Sequence, residues 1–548
     1  MRRDGPGLSL GVTTVTRASV GLRSERGPVL GAVMLSTALI ALDSTIIATA
    51  VPAVVDDLGG FSQFPWLFSV YLLTQAVTVP VYGKLADVYG RKPVLLFGIA
   101  VFVAASLFCG LAWSMPALIV GRALQGIGAG AVQAIGMTVI GDIYTVEERA
   151  KVQGYLASVW GVSSVLGPTL GGVFSDYLSW RWIFLVNLPL GAVALVVLYR
   201  RFSERVERRE HRLDVAGAVL LSVGCSLLIL GLLEGGSAWA WTSGVSVAVL
   251  VTAVALLAAF TVVERRAAEP VLPLWVLRRR ILLTGNVAAL ALGALLIGLS
   301  SYLPTWAQGV LGASALEAGF ALAALTLGWP IAASQAGRLY LRIGFRNTAL
   351  IGVVLAVLGT TGTALLGLHA QLWQVAASMF VTGIGLGLSS SPLIVAVQSV
   401  VGWNRRGVVT ATNMFARSIG SAVGAAVFGA IANTTLAGRF ASPPAGLEGD
   451  VPTDVDGTTA ALSRGGAVAE YARESLHAAS HGVFIATAVT AVVIAVAVAA
   501  MPRRTERLRF DDEHSTDEAA TPGPGPAAET AGRAPEPDSA DGHRPPPS

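Results

Sequence analysis

The sequence predicts an all-α membrane protein of fourteen transmembrane helices, built as two six-helix bundles with two further helices inserted between them. Three observations carry this. Apolar stretches of about 20 residues, the length that crosses a hydrocarbon core about 30 Å thick, recur along the whole chain. Backbone groups in that core must be bonded within their own segment, so such runs form helices. The 548 residues are 53% hydrophobic and only 13% charged, with a mean hydropathy of +0.66, whereas a soluble chain carries roughly 25% charged residues. Nearly all of the 38 lysines and arginines fall in alternate gaps between apolar runs. Arg181, Arg439, Arg464 and Arg473 lie in the opposite gaps, and Arg122 and Arg417 lie inside helices. Basic residues accumulate on the cytoplasmic face, so both termini are expected in the cytoplasm. An odd helix count would scramble that sorting.

Residues 1–28 are polar, without an apolar core or cleavage site for a signal peptide, so they read as a cytoplasmic tail and the first helix as its own insertion signal. The N-terminal bundle spans 29–199, with helices at 29–55, 64–83, 93–113, 116–141, 149–174 and 181–199. Residues 200–264 hold a cytoplasmic loop and the two inserted helices, 213–234 and 243–263, with Trp239 and Trp241 as interfacial anchors between them. The C-terminal bundle spans 265–501, with helices at 282–306, 316–337, 347–367, 372–397, 407–435 and 480–501. It includes an external loop, 436–478, rich in Gly, Ala and Asp, whose end from Ala467 to Ser480 reads as a helical lead-in. Residues 502–548 combine Pro, Gly, Ala and acidic residues and bury too little apolar surface to fold, so they are expected to be a disordered cytoplasmic tail.

Several function classes are disfavoured. The isoelectric point near 9.2 raises the question of nucleic acid, but membrane topology accounts for the basic residues, and no nucleic-acid partner is expected. Cys109 and Cys225 both fall in apolar runs, which leaves neither a disulfide framework nor a metal cluster. His369, His477 and His481 show no ligand-like spacing, and no phosphate-binding glycine loop is present. No metal, cofactor or catalytic centre is expected.

The chain also repeats itself. Gly83-Lys84-Leu85-Ala86-Asp87-Val88-Tyr89-Gly90-Arg91-Lys92 after helix 2 matches Gly337-Arg338-Leu339-Tyr340-Leu341-Arg342-Ile343-Gly344-Phe345-Arg346 after helix 10. Both glycines, the first basic residue, the leucine and the closing basic residue stay in register. Gly126-Ile127-Gly128-Ala129-Gly130 in helix 4 is echoed by Gly383-Ile384-Gly385-Leu386-Gly387 in helix 12. Internal repeats of this kind mark transporters whose two bundles rock about a central site.

On these residues the chain resembles the major facilitator superfamily, in its fourteen-helix drug:proton antiporter branch. The first loop copy is similar to the superfamily's signature, and Arg122-Ala123-Leu124-Gln125-Gly126 to the basic motif of helix 4. Gly161 with Gly167-Pro168-Thr169-Leu170-Gly171-Gly172 resembles the antiporter motif of helix 5. Leu42-Asp43-Ser44-Thr45-Ile46-Ile47-Ala48-Thr49-Ala50-Val51-Pro52, Trp180 to Pro189, and Leu303-Pro304 with Gln308 to Gly312 resemble stretches particular to the branch. Ala48 departs from the branch, which usually has Asn there. The resemblance runs from about Val29 to Met501 and implies the major facilitator fold.

It also implies roles. Asp43 sits mid-span, where a carboxylate costs several kcal/mol unless neutralised, paired or wetted; it reads as a proton- or cation-responsive group, or else as a structural carboxylate. Ser36, Asp43 and Ala50, spaced by sevens, give one small and polar face. Arg122 is implied to be its electrostatic partner, although the two differ in depth by about 9 Å at 1.5 Å per residue; a purely structural ion pair is the alternative. Asp87, with Gly83, Gly90, Arg91 and Lys92, is implied to latch the halves, Asp87 facing the start of helix 13 near Arg406; Arg91 and Lys92 also serve topology. Gly161, Gly167, Pro168, Gly171 and Gly172 are implied to bend and seal helix 5, or else simply to pack tightly. Gln125, Gln133, Trp160, Trp329, Asn413 and Arg417 are candidates for a cavity wall, with core packing, lipid contact or helix contact as alternatives.

The function so implied is a proton-coupled secondary antiporter that exports amphipathic, cationic or neutral drug-like compounds by alternating access. Coupling would arise because a shared buried site tolerates little net charge, so proton and substrate compete. The alternative on the same fold is a dedicated exporter of one metabolite, lipid or antibiotic. Expected partners are the small-molecule substrate, protons and the lipid bilayer, with the chain working as a monomer. Ala-, Gly- and Arg-heavy usage with only three lysines looks like that of a GC-rich bacterial genome, so the expected location is a bacterial cytoplasmic membrane.

Overall fold

The computed structural model describes residues 20–59, 66–204, 214–235, 239–267, 270–444, 447, 462 and 465–503. These form fourteen long helices and two four-residue helical turns, with no strand among them. The first six long helices are α1 (Gly27–Leu58), α2 (Trp66–Tyr89), α3 (Arg91–Gly110), α4 (Met115–Ile143), α5 (Val146–Tyr177) and α6 (Asn187–Arg201). Next come α7 (Val215–Glu234) and α8 (Gly244–Glu264). The last six are α9 (Arg280–Leu311), α10 (Ala315–Ile343), α11 (Phe345–Ala364), α12 (Leu372–Ser399), α13 (Trp403–Phe440) and α14 (Gly466–Ala499). Twelve of them, α6 counted with the turn that leads into it, are long and apolar enough to cross a membrane. The other two, α5 and α10, pack against each other.

The helices begin where local chemistry dictates. Thr145 and Glu148 form a reciprocal cap at α5, the hydroxyl accepting the Glu148 amide at 3.3 Å and the carboxylate accepting the Thr145 amide at 3.0 Å. Ser314 and Glu317 repeat this at α10, so each start satisfies two otherwise orphaned donors. Ser114, Asp214 and Ser243 cap α4, α7 and α8. The boundaries of the last two helices differ from expectation: α13 extends beyond 407–435 at both ends, and the lead-in expected from Ala467 is continuous with α14. Most of the external loop, most of the N-terminal tail and residues 504–548 of the C-terminal tail lie outside the described residues.

Packing gives the repeat a physical meaning. In the first six helices α1 packs on α5 and α6, α4 on α2 and α3, and α3 on α6. Adding eight to each number gives the pairs seen in the last six: α9 with α13 and α14, α12 with α10 and α11, and α11 with α14. The second glycine of each loop copy turns the chain from one helix into the next, Gly90 at φ 94° and ψ 161°, Gly344 at φ 85° and ψ 161°. A side chain at that conformation is strained, which is why glycine recurs there. The middle residue of each glycine triplet is also a contact point. A Cβ on Gly128 would lie 2.5 Å from the Phe102 amide of α3, and one on Gly385 2.4 Å from the Ala356 amide of α11.

The two sets of six meet along α2 with α13 and along α5 with α10, while α4 reaches α13 at one end. The α7–α8 pair lies against the first of these seams. Leu221, Cys225 and Ile229 of α7 cluster with Ala76 and Val77 of α2 and Ala422 of α13, with Phe415 and Ile419 packed alongside. The side chains of this contact are apolar. Val219, Val223, Val247, Val251 and Val254 face outward, as lipid-facing positions require.

Candidate functional site

Asp43 sits near the middle of α1, 1% exposed, in a closed polar network. Arg122 of α4 donates through Nη1 to Asp43 Oδ2 at 2.5 Å. Gln125 donates through Nε2 to Asp43 Oδ1 at 2.7 Å and to Ser106 Oγ at 2.9 Å. Asn187, the first residue of α6, donates to Asp43 Oδ1 at 3.3 Å. Arg122 is held from behind: Nε donates to the Leu67 carbonyl at 3.0 Å, Nη1 to Gln125 Oε1 at 2.6 Å, and its guanidinium lies 4.1 Å from the Tyr71 ring centre. The depth offset between Asp43 and Arg122 is therefore bridged by a long, extended side chain. Ser36 and Ala50 are buried on α1 together with Asp43.

The chemistry of this network is asymmetric. An ionised carboxylate only accepts, and here it faces three donors; once protonated it becomes a donor itself and loses acceptor capacity. Neutralising Asp43 would thus leave Arg122 without its counter-charge.

A separate cavity of about 540 Å³ lies between the two sets of helices, within the size range of drug-binding pockets. Gln133, Trp160, Trp329, Asn413 and Arg417 line it, as does Gly161. Gln133 accepts from Gln75 at 2.8 Å, and Asn413 donates to the Gly285 carbonyl at 3.1 Å. Two expectations need correction. Gln125 is not on the cavity wall, because its amide is turned into the Asp43 network. Asp43 is not there either: α1 presents Val33, Thr37, Ile40 and Thr45 to the cavity, while the Asp43 carboxylate is turned to Arg122 and Gln125. The acidic group and the cavity share a helix but not a site.

A third cluster ties the ends of α2, α4 and α13. Asp87 accepts the Gly407 amide at Oδ1 (3.0 Å) and the Val408 amide at Oδ2 (2.8 Å), near the positive N-terminal end of α13. Arg91, fully buried, bridges Asp87 at 2.8 Å and Asp142 at 2.9 Å, donates to the Trp403 carbonyl, and stacks 3.7 Å from the Trp403 ring centre. Arg406 pairs with Asp142 and donates to the Gly141 carbonyl at 2.7 Å. Gly83 and Gly407 allow the approach: a Cβ on Gly83 would lie 2.3 Å from Ala411 Cβ, and one on Gly407 2.5 Å from Asp87 Oδ1. Lys92 is not part of this latch. It donates to the Tyr199 carbonyl at 2.8 Å and ties α3 to the end of α6.

In α5, a Cβ on Gly167 would lie 2.0 Å from Thr45 Oγ1, and one on Gly161 3.2 Å from Pro330 of α10. Gly171 is buried, nothing lies within 4 Å of a Cβ on Gly172, and the Pro168 side chain falls outside the described residues. Gly167→Val is expected to force α1 and α5 apart and lower stability by about 1–3 kcal/mol, whereas Gly172→Ala leaves it unchanged; thermal unfolding in detergent compares the two.

Sequence reasoning missed Ser106, Asn187, Tyr71, Asp142 and Trp403, and used Arg406 only to mark the start of helix 13. Asn187 lies within the Trp180–Pro189 motif and could have been flagged as a polar residue opening an apolar span; Ser106 carries no such signal.

Residues 33–425 match the family model described as Major Facilitator Superfamily. The chain is 35% identical over 433 residues to Multidrug resistance protein 3 of Bacillus subtilis (strain 168), covering 78% of this chain and 83% of that protein. It is 35% identical over 413 residues to the Multidrug transporter protein MdtP of the same strain, covering 75% and 76%. It is 31% identical over 422 residues to the Rubrofusarin-specific efflux pump aurT of Gibberella zeae, covering 75% and 77%. Among solved structures the human organic anion transporter MFSD10 shares the fold, with a TM-score of 0.56 and 15% identity over 85% of this chain and 99% of that one. The protein is thus a multi-pass membrane transporter, not an enzyme, and it belongs to the Major Facilitator Superfamily.

Proposed function

We propose that the protein is a proton-coupled antiporter that exports amphipathic compounds across a bacterial cytoplasmic membrane. The observation that carries this reading is the buried Asp43–Arg122–Gln125 network on a helix that also lines the cavity. Protonation of Asp43 changes how α1 packs on α4 and α6. The same helix presents Thr37, Ile40 and Thr45 to substrate and packs through Thr45 against Gly167 of α5, which meets α10 of the other half. Proton and substrate then act on one movable helix at separate sites, rather than competing for one shared pocket. Coupling of this kind needs only that each ligand prefer a different arrangement of the halves.

The end bearing Asp87, Arg91 and Asp142 is assigned to the cytoplasmic face, because the basic loops gather there. With the latch made, α2, α4 and α13 are drawn together at that end, which corresponds to the outward-facing state. One chain supplies both walls of the cavity, so the working unit is a monomer. The relatives named multidrug resistance protein and multidrug transporter support the export of drug-like compounds.

The test is efflux of fluorescent amphipathic dyes from vesicles reconstituted with the full chain. Expulsion should fall to the empty-vesicle rate when both the pH gradient and the voltage are dissipated, and dye addition should release protons under a gradient. Undiminished expulsion without either gradient defeats the reading.

A further inference from the structure

We propose that the cavity selects amphipathic anions: compounds with an aromatic or aliphatic body and one carboxylate, sulfonate or phenolate group, which Arg417 receives. This specifies the substrate class of the export reading above and rests on it; it departs from the cationic or neutral cargo that the sequence suggests.

Among the described residues that line the cavity, Arg417 is the one charged side chain, and there is no Asp or Glu with it. Its guanidinium forms no ion pair with a described residue and donates no hydrogen bond to one. Every other intramembrane or latch arginine considered above has an acidic partner: Arg122 has Asp43, Arg91 has Asp87 and Asp142, and Arg406 has Asp142. Arg417 alone is left with its five donors unclaimed by side chains.

Its placement is fixed by the backbone. α13 crosses α9 so closely that a Cβ on Gly293 would lie 1.9 Å from the Arg417 carbonyl, and one on Gly420 1.8 Å from the Leu290 carbonyl. The backbone of Arg417 is therefore packed into α9, while its side chain opens onto the cavity. Asn413 and Ser421, one turn to either side, continue the polar stripe, and both are occupied by backbone carbonyls of α9. Trp160, Trp329 and Met137 line the cavity from α5, α10 and α4, and Met414 lies one turn before Arg417 on α13, surfaces that take an aromatic or flexible apolar body.

An unpaired guanidinium in an enclosed, largely apolar cavity is costly, and a ligand carrying a carboxylate or sulfonate removes that cost through a charge-assisted, two-point contact. A cationic ligand would be repelled by Arg417 and would find no carboxylate on the wall to offset the repulsion. Charge movement follows. An anion leaving in exchange for an entering proton carries two charges' worth of current inward, so a negative-inside voltage drives its export more strongly than export of a neutral molecule.

The experiment uses the full chain purified in detergent and three probes with one skeleton: pyrene-1-butyrate, pyrene-1-butyramide and 1-pyrenemethylammonium, with saturable binding measured by calorimetry. The anion is expected to bind at least tenfold more tightly than the amide, and the cation most weakly. Arg417→Gln should weaken the anion at least tenfold and the amide less than threefold, and Arg417→Lys should recover part of the loss. Since Arg417→Lys keeps the charge, its behaviour separates loss of the cation from misfolding. In reconstituted vesicles, dissipating the voltage alone should slow butyrate export more than butyramide export. Tighter binding of the ammonium compound, unchanged butyrate affinity in Arg417→Gln, or no saturable binding of any probe overturns the anion assignment. Binding as expected with no gradient-dependent export defeats the export reading and leaves the assignment standing.

Discussion

Replacing Asp43 by Asn is expected to abolish substrate-induced proton movement in reconstituted vesicles, bringing it to the empty-vesicle background, while the fold weakens but persists. The loss of coupling follows from chemistry: the amide cannot take up or release a proton. The weakening follows from what remains. Arg122 is 1% exposed and faces Asp43 at 2.5 Å, and removing one partner of such a buried pair costs about 3–5 kcal/mol because a charge is left uncompensated. Asp43→Asn combined with Arg122→Gln should therefore unfold at a higher temperature than Asp43→Asn alone, although it transports no better. Asp43→Glu keeps a titratable group and should retain measurable coupling. Proton movement unchanged in Asp43→Asn would remove this carboxylate from the mechanism.

Gly407→Val breaks the latch, with an expected drop in efflux of at least tenfold. The added side chain starts 2.5 Å from Asp87 Oδ1 and 2.7 Å from the Gly83 carbonyl, so α2 and α13 cannot close as they do here. The amides of Gly407 and Val408 lose their carboxylate together, and Arg91 loses its seat against Trp403. Asp87→Asn keeps the shape and removes only the charge, so it should cost less. A reporter cysteine, Ala411→Cys, with Cys109 and Cys225 replaced by Ser, reads the state of the seam, because Ala411 is fully buried against Gly83 there. Its labelling by a membrane-impermeant maleimide from the latch side should rise several-fold in Gly407→Val. Labelling as slow as in the parent, with efflux retained, would show that this contact does not gate transport.

Hydropathy made most of the fold legible, because a membrane forces each crossing to declare itself as a run of apolar residues. α5 and α10, read at 149–174 and 316–337 as apolar stretches like the rest, form as helices too. Helix ends beyond the hydrocarbon were less legible: at α13 and α14, capping and packing set the limits, not apolarity. In the site, Asp43, Arg122 and Asp87 stood out because charge is costly inside a span. Their partners did not. Asn187 reaches Asp43 across 144 residues of sequence, and Gly407 reaches Asp87 across 320. Helical periodicity says which residues share a face but not toward which neighbour that face is rotated. That is why Gln125 was assigned to the cavity wall and why the separation of Asp43 from the cavity was not foreseen. The sign of the cavity's charge was hidden for the same reason, since it depends on the lack of any carboxylate opposite Arg417.

The α7–α8 hairpin leans on both α2 and α13 through Leu221, Cys225 and Ile229, so it straddles a seam that the proposed transport cycle would open and close. Those three side chains are apolar, and such surfaces shear past one another without a hydrogen bond to break, while Lys84 of α2 keeps an electrostatic contact with Glu264 of α8 at one end. The hairpin can thus act as a bearing that slides with each stroke and keeps lipid tails out of the joint as it opens.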